Sequence, residues 1–235
     1  MATSLLLIET ASHRCDVALI DGKQLVVERG SLDLKGYQHA EKLHVYIQEV
    51  LQAAGKRIAD LDGVAISGGP GSYTGLRIGA ASAKGLVIPH DLPLIAYSSL
   101  AALAHGAIEI LGVQDPSVRI WAAMDARRME VYSAVFDGHG CRLSPDAPQL
   151  LEEFPIHPEA GTSLKVLGVG DGVEKALEGW TGLQAIPLAF AHARHGHALA
   201  LEAYEAKDFV EVGAYAPNYL KTYVAGKPKL GLPGV

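Results

Sequence analysis

The residues best suited to chemistry lie in the run Gly68-Gly69-Pro70-Gly71-Ser72-Tyr73-Thr74-Gly75-Leu76-Arg77. It falls between a strand pattern and a helix pattern, where free backbone N–H groups and the helix dipole favour an anion. Gly69, Gly71, Ser72, Thr74 and Arg77 are therefore candidates for holding a phosphate or a nucleotide. Two known phosphate loops can be tested by counting. A GxGxxG loop from Gly69 needs glycine where Thr74 stands, and a Walker loop needs lysine after Gly75, where Leu76 and Arg77 follow. Neither fits, so the same glycines also read as a tight turn that lets the helix pack on the sheet.

Three further clusters could do chemistry. Gly168-x-Gly170-x-Gly172 is a second glycine turn before a helix, with Gly170 a candidate nucleotide contact or a structural turn. Glu9-Thr10-Ala11-Ser12 closes the first strand pair, and Glu9 and Thr10 could face a phosphate there. Asp125-Ala126-Arg127-Arg128 lies at a strand turn, where Arg127 is either a charged hairpin tip or an anion clamp. Ten histidines raise the question of metal, but no HExxH is present. His39 and His44 on one helix stand ~140° apart around its axis, too far to share an ion. His192, His195 and His197 read as a solvated cluster at a helix edge with no acidic neighbour in the sequence.

These residues need elements to position them. Leu5 to Ile8 reads as a buried strand, Cys15 to Ile20 as a second, and Asp21-Gly22 as a hairpin turn into a third from Gln24 to Arg29. Tyr37 to Ala54 carries a helical period stopped by Gly55. Leu61 to Ser67 is a strand, Gly75 to Ile88 a small-residue helix, Pro93 to Tyr97 a strand and Ser98 to Leu111 a helix. This β-β-β-α-β-α-β-α order is that of a ribonuclease H-like unit. After Gln114-Asp115-Pro116 come strands from Val118 to Met124 and Glu130 to Phe136, an irregular Ser144 to Gly161 with four prolines, and a strand from Leu164 to Gly168. A helix to Glu178 and a last one from His195 to Ala206 follow. The pattern implies a duplicated α/β fold. Residues 1–112 would form the first domain, completed by 207–226, 113–206 a smaller second one, and 227–235 a loose tail.

Composition narrows the functions. The 235 residues are 49% hydrophobic and 20% charged, enough for a buried core. Twenty basic against 26 acidic residues give a net charge of −6, which argues against a protein that holds nucleic acid unaided. Cys15 and Cys141 form no CxxC unit, so a disulfide scaffold or structural zinc is not expected. The Leu5 to Ile8 run lacks the basic start and length of a signal peptide, and no stretch is long enough to span a bilayer; a cytoplasmic, membrane-free protein is expected. On the Tyr37–Ala54 helix, Val45 falls nearly opposite the core face and Tyr46 about 90° from it. The next helix repeats Gly75, Gly79 and Ala83 at four-residue intervals, which would let another backbone approach.

At this point the sequence resembles the TsaB (YeaZ) family, bacterial proteins needed to make N6-threonylcarbamoyladenosine in tRNAs. The resemblance rests on Leu-Leu-Ile-Glu-Thr-Ala with Val-Ala-Leu at 17–19, His39 to Leu51, Gly69 to Gly85, Ser98 to Ala104, Asp125 to Tyr132, and Pro217-Asn-Tyr-Leu220. It implies an actin-like (ASKHA) fold of two ribonuclease H-like domains and a non-catalytic role beside TsaD, the subunit that transfers the threonylcarbamoyl group. TsaD-type enzymes bind metal through an HxxxH pair whose positions here are Ser99 and Leu103, so the resemblance implies no metal, no cofactor and no catalytic residue in this chain. It further implies a heterodimer with TsaD, a ternary complex with TsaE, a homodimer when alone, and tRNA contact only through the complex. Relatives associate through the two N-terminal helices, which makes Tyr37, Lys42, Val45, Tyr46, Leu76, Ala80, Ala83, Lys84 and Val87 the expected interface. Glu9 departs from the aspartate that many relatives carry. The rival readings are an ATP-dependent phosphotransferase of the sugar-kinase and actin superfamily, and a metallopeptidase-like protein.

Overall fold

The computed structural model describes residues 2–36, 38–112, 115–152, 165–177, 179–180 and 182–221. Tyr37, part of the proline-rich stretch and the tail 227–235 lie outside the described residues. The first sheet is built from β1 (Ser4–Glu9), β2 (Arg14–Asp21), β3 (Gln24–Leu32), β4 (Gly63–Ser67) and β5 (Leu94–Tyr97), in the order β3-β2-β1-β4-β5. β1 and β2 pair antiparallel, β1 and β4 parallel. The second sheet holds β6 (Val118–Asp125), β7 (Glu130–Asp137), β8 (Ala147–Leu150), β9 (Lys165–Val169) and β10 (Leu183–Ala185), in the order β10-β9-β6-β7-β8. Read from its opposite edge, this is the first sheet's order again, so the fold is the duplicated, actin-like one.

Alternation along β1 sets the layers. Leu6 and Ile8 face outward beneath α1 (His39–Ala54) and α2 (Tyr73–Val87), where Leu43, Ile47, Val50, Ala83 and Val87 meet them. Leu5 and Leu7 face the other way, into a core shared with the second sheet through Ile120, Ala122, Phe136 and Leu167. Between the sheets lie α3 (Ser99–Leu111) and α5 (His197–Glu205). α3 follows the first sheet in the chain yet packs on β6, β7 and β9 of the second. α5 follows the second sheet yet packs on β1 and β5 of the first. Beyond the second sheet, Trp121 and Trp180 pack with ring centroids 4.7 Å apart and planes inclined by 57°, beside the short α4 (Glu174–Leu177).

Some elements differ from the sequence pattern, each for a local reason. α2 begins at Tyr73, ahead of Gly75, because the Ser72 hydroxyl caps it by accepting from the Gly75 N–H. The hairpin loop is Gly22-Lys23, one residue later than expected, with Gly22 at φ 55°. The segment expected to be irregular contains β8, where Pro148 is tolerated because the strand lies at the sheet edge. The last helix starts at His197 after a 3-10 turn over Ala193–Gly196.

Candidate functional site

A cleft of about 510 Å³ opens between the sheets. Its walls are the first hairpin at Ser12 and His13, the glycine turn from Pro70 to Thr74, the β6–β7 turn from Asp125 to Arg127, Asp171, and the C-terminal run from Asn218 to Lys221. Four of the expected anion residues meet here: Gly71, Ser72, Thr74 and Arg127. The turn is shaped by close approach, since the Ser72 N–H donates to the Ala11 carbonyl at 2.6 Å and a side chain on Gly71 would strike that same carbonyl.

The other expected anion residues lie elsewhere. Glu9 and Thr10 are fully buried: α2 crosses directly over Thr10, and the Glu9 side chain lies on the Leu5 and Leu7 side of β1 beside Ser67 and Asp16. A methyl group on Gly75 would run into the Thr10 carbonyl, and one on Gly79 into the Thr10 hydroxyl. The small residues Gly75 and Gly79 thus serve this internal crossing and not the approach of another molecule. Gly69 is buried against the Asn218 backbone. Gly170 donates its N–H to Leu188 at 2.9 Å and is closed in by the Ala123 carbonyl, so the second glycine turn is structural. Arg77 does not line the cleft but stands beside its mouth, donating to the Tyr73 hydroxyl at 3.0 Å.

Electrostatics behind the glycine turn are governed by burial. Glu9 and Asp16 face each other across β1 and β2. Burial pushes the Glu9 carboxyl up to about 7, although its Oε1 accepts from the Ala11 N–H at 2.7 Å. Burial also raises Asp16, to about 6, against the pull of Arg14. Within the cleft, burial raises Asp171, whose carboxylate accepts from the Asp125 N–H at 3.0 Å.

The three late histidines are not a solvated cluster, because the fold brings distant acids to them. His192 Nδ1 lies 3.4 Å from Asp16 and 3.8 Å from Glu28, His195 is buried with Nδ1 accepting from the His192 N–H, and His197 meets the Gly22 carbonyl at 3.0 Å. Asp16, Glu28 and His192 stand close enough to share a cation. Arg14 already pairs with Asp16, and Arg194 pairs with Glu28 at 2.8 Å and reaches His192 Nδ1 at 3.2 Å. Burial alone would raise Glu28, yet the bonds from His192 and Arg194 hold it down at about 2. The trio is therefore neutralised by guanidinium groups.

The expected interface divides in two. Lys42, Val45 and Tyr46 on α1 and Lys84 on α2 retain exposed surface, and Val45 is 44% exposed. Leu76, Ala80, Ala83 and Val87 are buried in the cores on either side of the first sheet, which leaves them no surface for a partner. Their outward neighbours on α2 are Ala81, Gly85 and, just beyond it, Ile88. Sequence reasoning missed Tyr73, Tyr219 and Lys221 as cleft residues. Tyr73 and Tyr219 lie within stretches that carry the family resemblance and Lys221 directly follows one, but only the fold closes the 146-residue gap between the two tyrosines, 219 less 73.

A family model described as "TsaD: tRNA N6-adenosine threonylcarbamoyltransferase" matches residues 34–225. A Bacillus subtilis protein named "tRNA threonylcarbamoyladenosine biosynthesis protein TsaB" is 27% identical over 93% of this chain and 94% of its own length. The chain belongs to the TsaD family, in its TsaB (YeaZ) branch. The Escherichia coli protein of the same TsaB name is 35% identical over 65% of this chain, and the match spans 64% of that relative, just under two thirds of its length. The solved structure "YeaZ from Pseudomonas aeruginosa" superposes with a TM-score of 0.76 at 27% identity, covering 93% of this chain and all of that one. No described helix is long and apolar enough to cross a membrane.

Proposed function

We propose that this chain is a non-catalytic scaffold subunit of the assembly that forms N6-threonylcarbamoyladenosine in tRNA. It binds TsaD through the outer faces of α1 and α2, TsaE joins that pair, and the chain pairs with itself when TsaD is absent. The observation that carries this reading is its place in the TsaB branch along nearly the whole chain. The non-catalytic part is supported by side-chain chemistry. Where TsaD-type enzymes place metal-binding histidines, this chain has Ser99, whose hydroxyl lies 2.7 Å from that of Ser67, and Leu103, packed in the core. Glu9 and Thr10, which a phosphotransferase would need in its cleft, are buried and do not line it, Thr10 being covered by α2.

The docking face is supported by what α1 and α2 leave uncovered. Val45 is 44% exposed, Ile88 is 66% exposed, and a Cβ on Gly85 would meet nothing within 4 Å among the described residues. A glycine near the end of a helix costs up to about 1 kcal/mol against alanine. Reconstituted tRNA modification should require this chain. Val45→Asp combined with Ala81→Arg should abolish co-purification with TsaD while leaving the far-UV circular dichroism and melting temperature unchanged. Undiminished co-purification would refute the docking face.

A further inference from the structure

Two aromatic rings stand in solvent at the mouth of the cleft. Tyr73, the first residue of α2, is 46% exposed and Tyr219 is 38% exposed. Their centroids lie 4.8 Å apart with planes inclined by 41°. Arg77, one helical turn on, places its guanidinium 5.3 Å from the Tyr73 ring centre. Across the mouth, the Lys221 ammonium lies 5.4 Å from the centre of the Tyr132 ring. Flat groups and cations thus neighbour one another around the mouth of the cleft.

The β6–β7 turn continues this edge in an unusual backbone. Arg127 and Arg128 are both left-handed, with φ of 67° and 52°. This conformation costs side-chain-bearing residues roughly 1–2 kcal/mol each. Bonds to the surrounding framework hold it. Asp125 accepts from the Arg127 N–H at 2.6 Å, Lys175 donates to Asp125 at 2.5 Å and to the Arg128 carbonyl at 2.7 Å, and Lys221 donates to the Ala126 carbonyl at 3.2 Å. The nearby acids are already engaged: Asp125 with Lys175 and Glu130 with Lys221, while burial raises the Asp171 carboxyl. Arg77, Arg127 and Arg128 are exposed, and none has a carboxylate partner among the described residues. The chain is acidic overall, yet this edge carries uncompensated positive charge.

We propose that this edge is a contact site for single-stranded RNA. The Tyr73–Tyr219 pair receives an unstacked base, and Arg77, Arg127 and Arg128 meet the flanking phosphates. Exposed paired aromatics with adjoining guanidiniums match how proteins hold unpaired nucleotides, because every base offers a π-face and every linkage a charge. A duplex hides the faces that the tyrosines would need. An acidic peptide would satisfy the arginines but make no use of the exposed ring faces. The choice of RNA over DNA rests on the proposed place in tRNA modification; the stacking and charge do not.

The test is fluorescence anisotropy of the full-length protein with a fluorescein-labelled oligoadenosine RNA of about ten nucleotides. Binding should weaken steeply with added salt. Tyr73→Ala with Tyr219→Ala should weaken it about tenfold, whereas Tyr73→Phe with Tyr219→Phe should keep it. Arg127→Ala and Arg128→Ala should each weaken it and lower the salt slope by about 1. These side chains are exposed, so melting temperatures should hold, and the arginine variants keep the test open should the tyrosine pair disturb the fold. The proposal is overturned by no binding, by tyrosine-to-alanine variants that bind like the parent, or by duplex RNA or polyglutamate competing as well as the single strand. If modification still requires the chain but the RNA fails to bind, this inference falls and the scaffold reading stands. If the RNA binds as expected but modification proceeds without the chain, the reverse holds.

Discussion

Glu9 shows how a single residue's setting decides its chemistry. Its carboxyl is buried on the Leu5 and Leu7 side of β1, beside Ser67 and opposite Asp16, so its charged form is disfavoured and the group titrates at about 7. In the unfolded chain the same group ionises near the ordinary glutamate value. Between those two values the folded state holds the extra proton, so stability falls as pH rises from about 4.5 to about 7 and levels off above. Asp16, raised to about 6, adds to the same trend at slightly lower pH. Glu9→Gln keeps an oxygen for the Ala11 N–H and removes the charge. The variant should match the parent near pH 4.5 and exceed it by up to about 3 kcal/mol at pH 8 in denaturant titrations. Identical pH profiles for the two proteins would refute the burial argument. The sequence tells that Glu9 ends a strand beside small hydroxyl residues. It does not tell that the carboxyl is buried, because its neighbours Asp16 and Ser67 reach it only through the pairing of β1 with β2 and β4.

At the scale of elements, α2 carries glycines of opposite meaning on one helix. Gly75 and Gly79 face Thr10 with no room for a methyl group, while Gly85 faces open space. Gly75→Ala should therefore destabilise the fold by several kcal/mol through overpacking against backbone, which cannot yield. Gly85→Ala should stabilise it by about 0.5–1 kcal/mol, raising the melting temperature by roughly 2–4 °C. Thermal scans of the two variants beside the parent check both signs, and a destabilising Gly85→Ala would mean that this face is covered within the chain. Regular four-residue spacing is legible in the sequence; what each position faces is not. The same limit holds for strands. The alternating or wholly apolar runs of β1, β2, β4, β6 and β7 stand out, because their burial is written into residue type. β8 and β10 are short edge strands with a proline or few apolar residues, held by neighbours and not by their own pattern.

At the scale of the molecule, the exchange of α3 and α5 makes each sheet depend on a helix from the other half. Leu100, Leu103, Ala104 and Ala107 of α3 bury themselves in a core that includes Ile120, Phe136 and Leu167. Gly196, just ahead of α5, lies so close to Tyr97 of β5 that any side chain there would overlap the ring. The strand order of the first sheet repeats from β6 onward, a repeat legible in the sequence, but no such pattern reveals that the two halves trade helices. A shared core predicts one unfolding transition and not two. Both tryptophans of the sequence, Trp121 and Trp180, belong to the second half and pack together, so their fluorescence reports that half alone. Gly75→Ala strains only the first half, beneath α2. Its urea midpoint should nevertheless fall by the same amount when followed by tryptophan fluorescence as when followed by far-UV circular dichroism. A fluorescence midpoint that stays at the parent value while the dichroism midpoint drops would mean that the halves unfold separately, and that the helix exchange couples them far less than their packing requires.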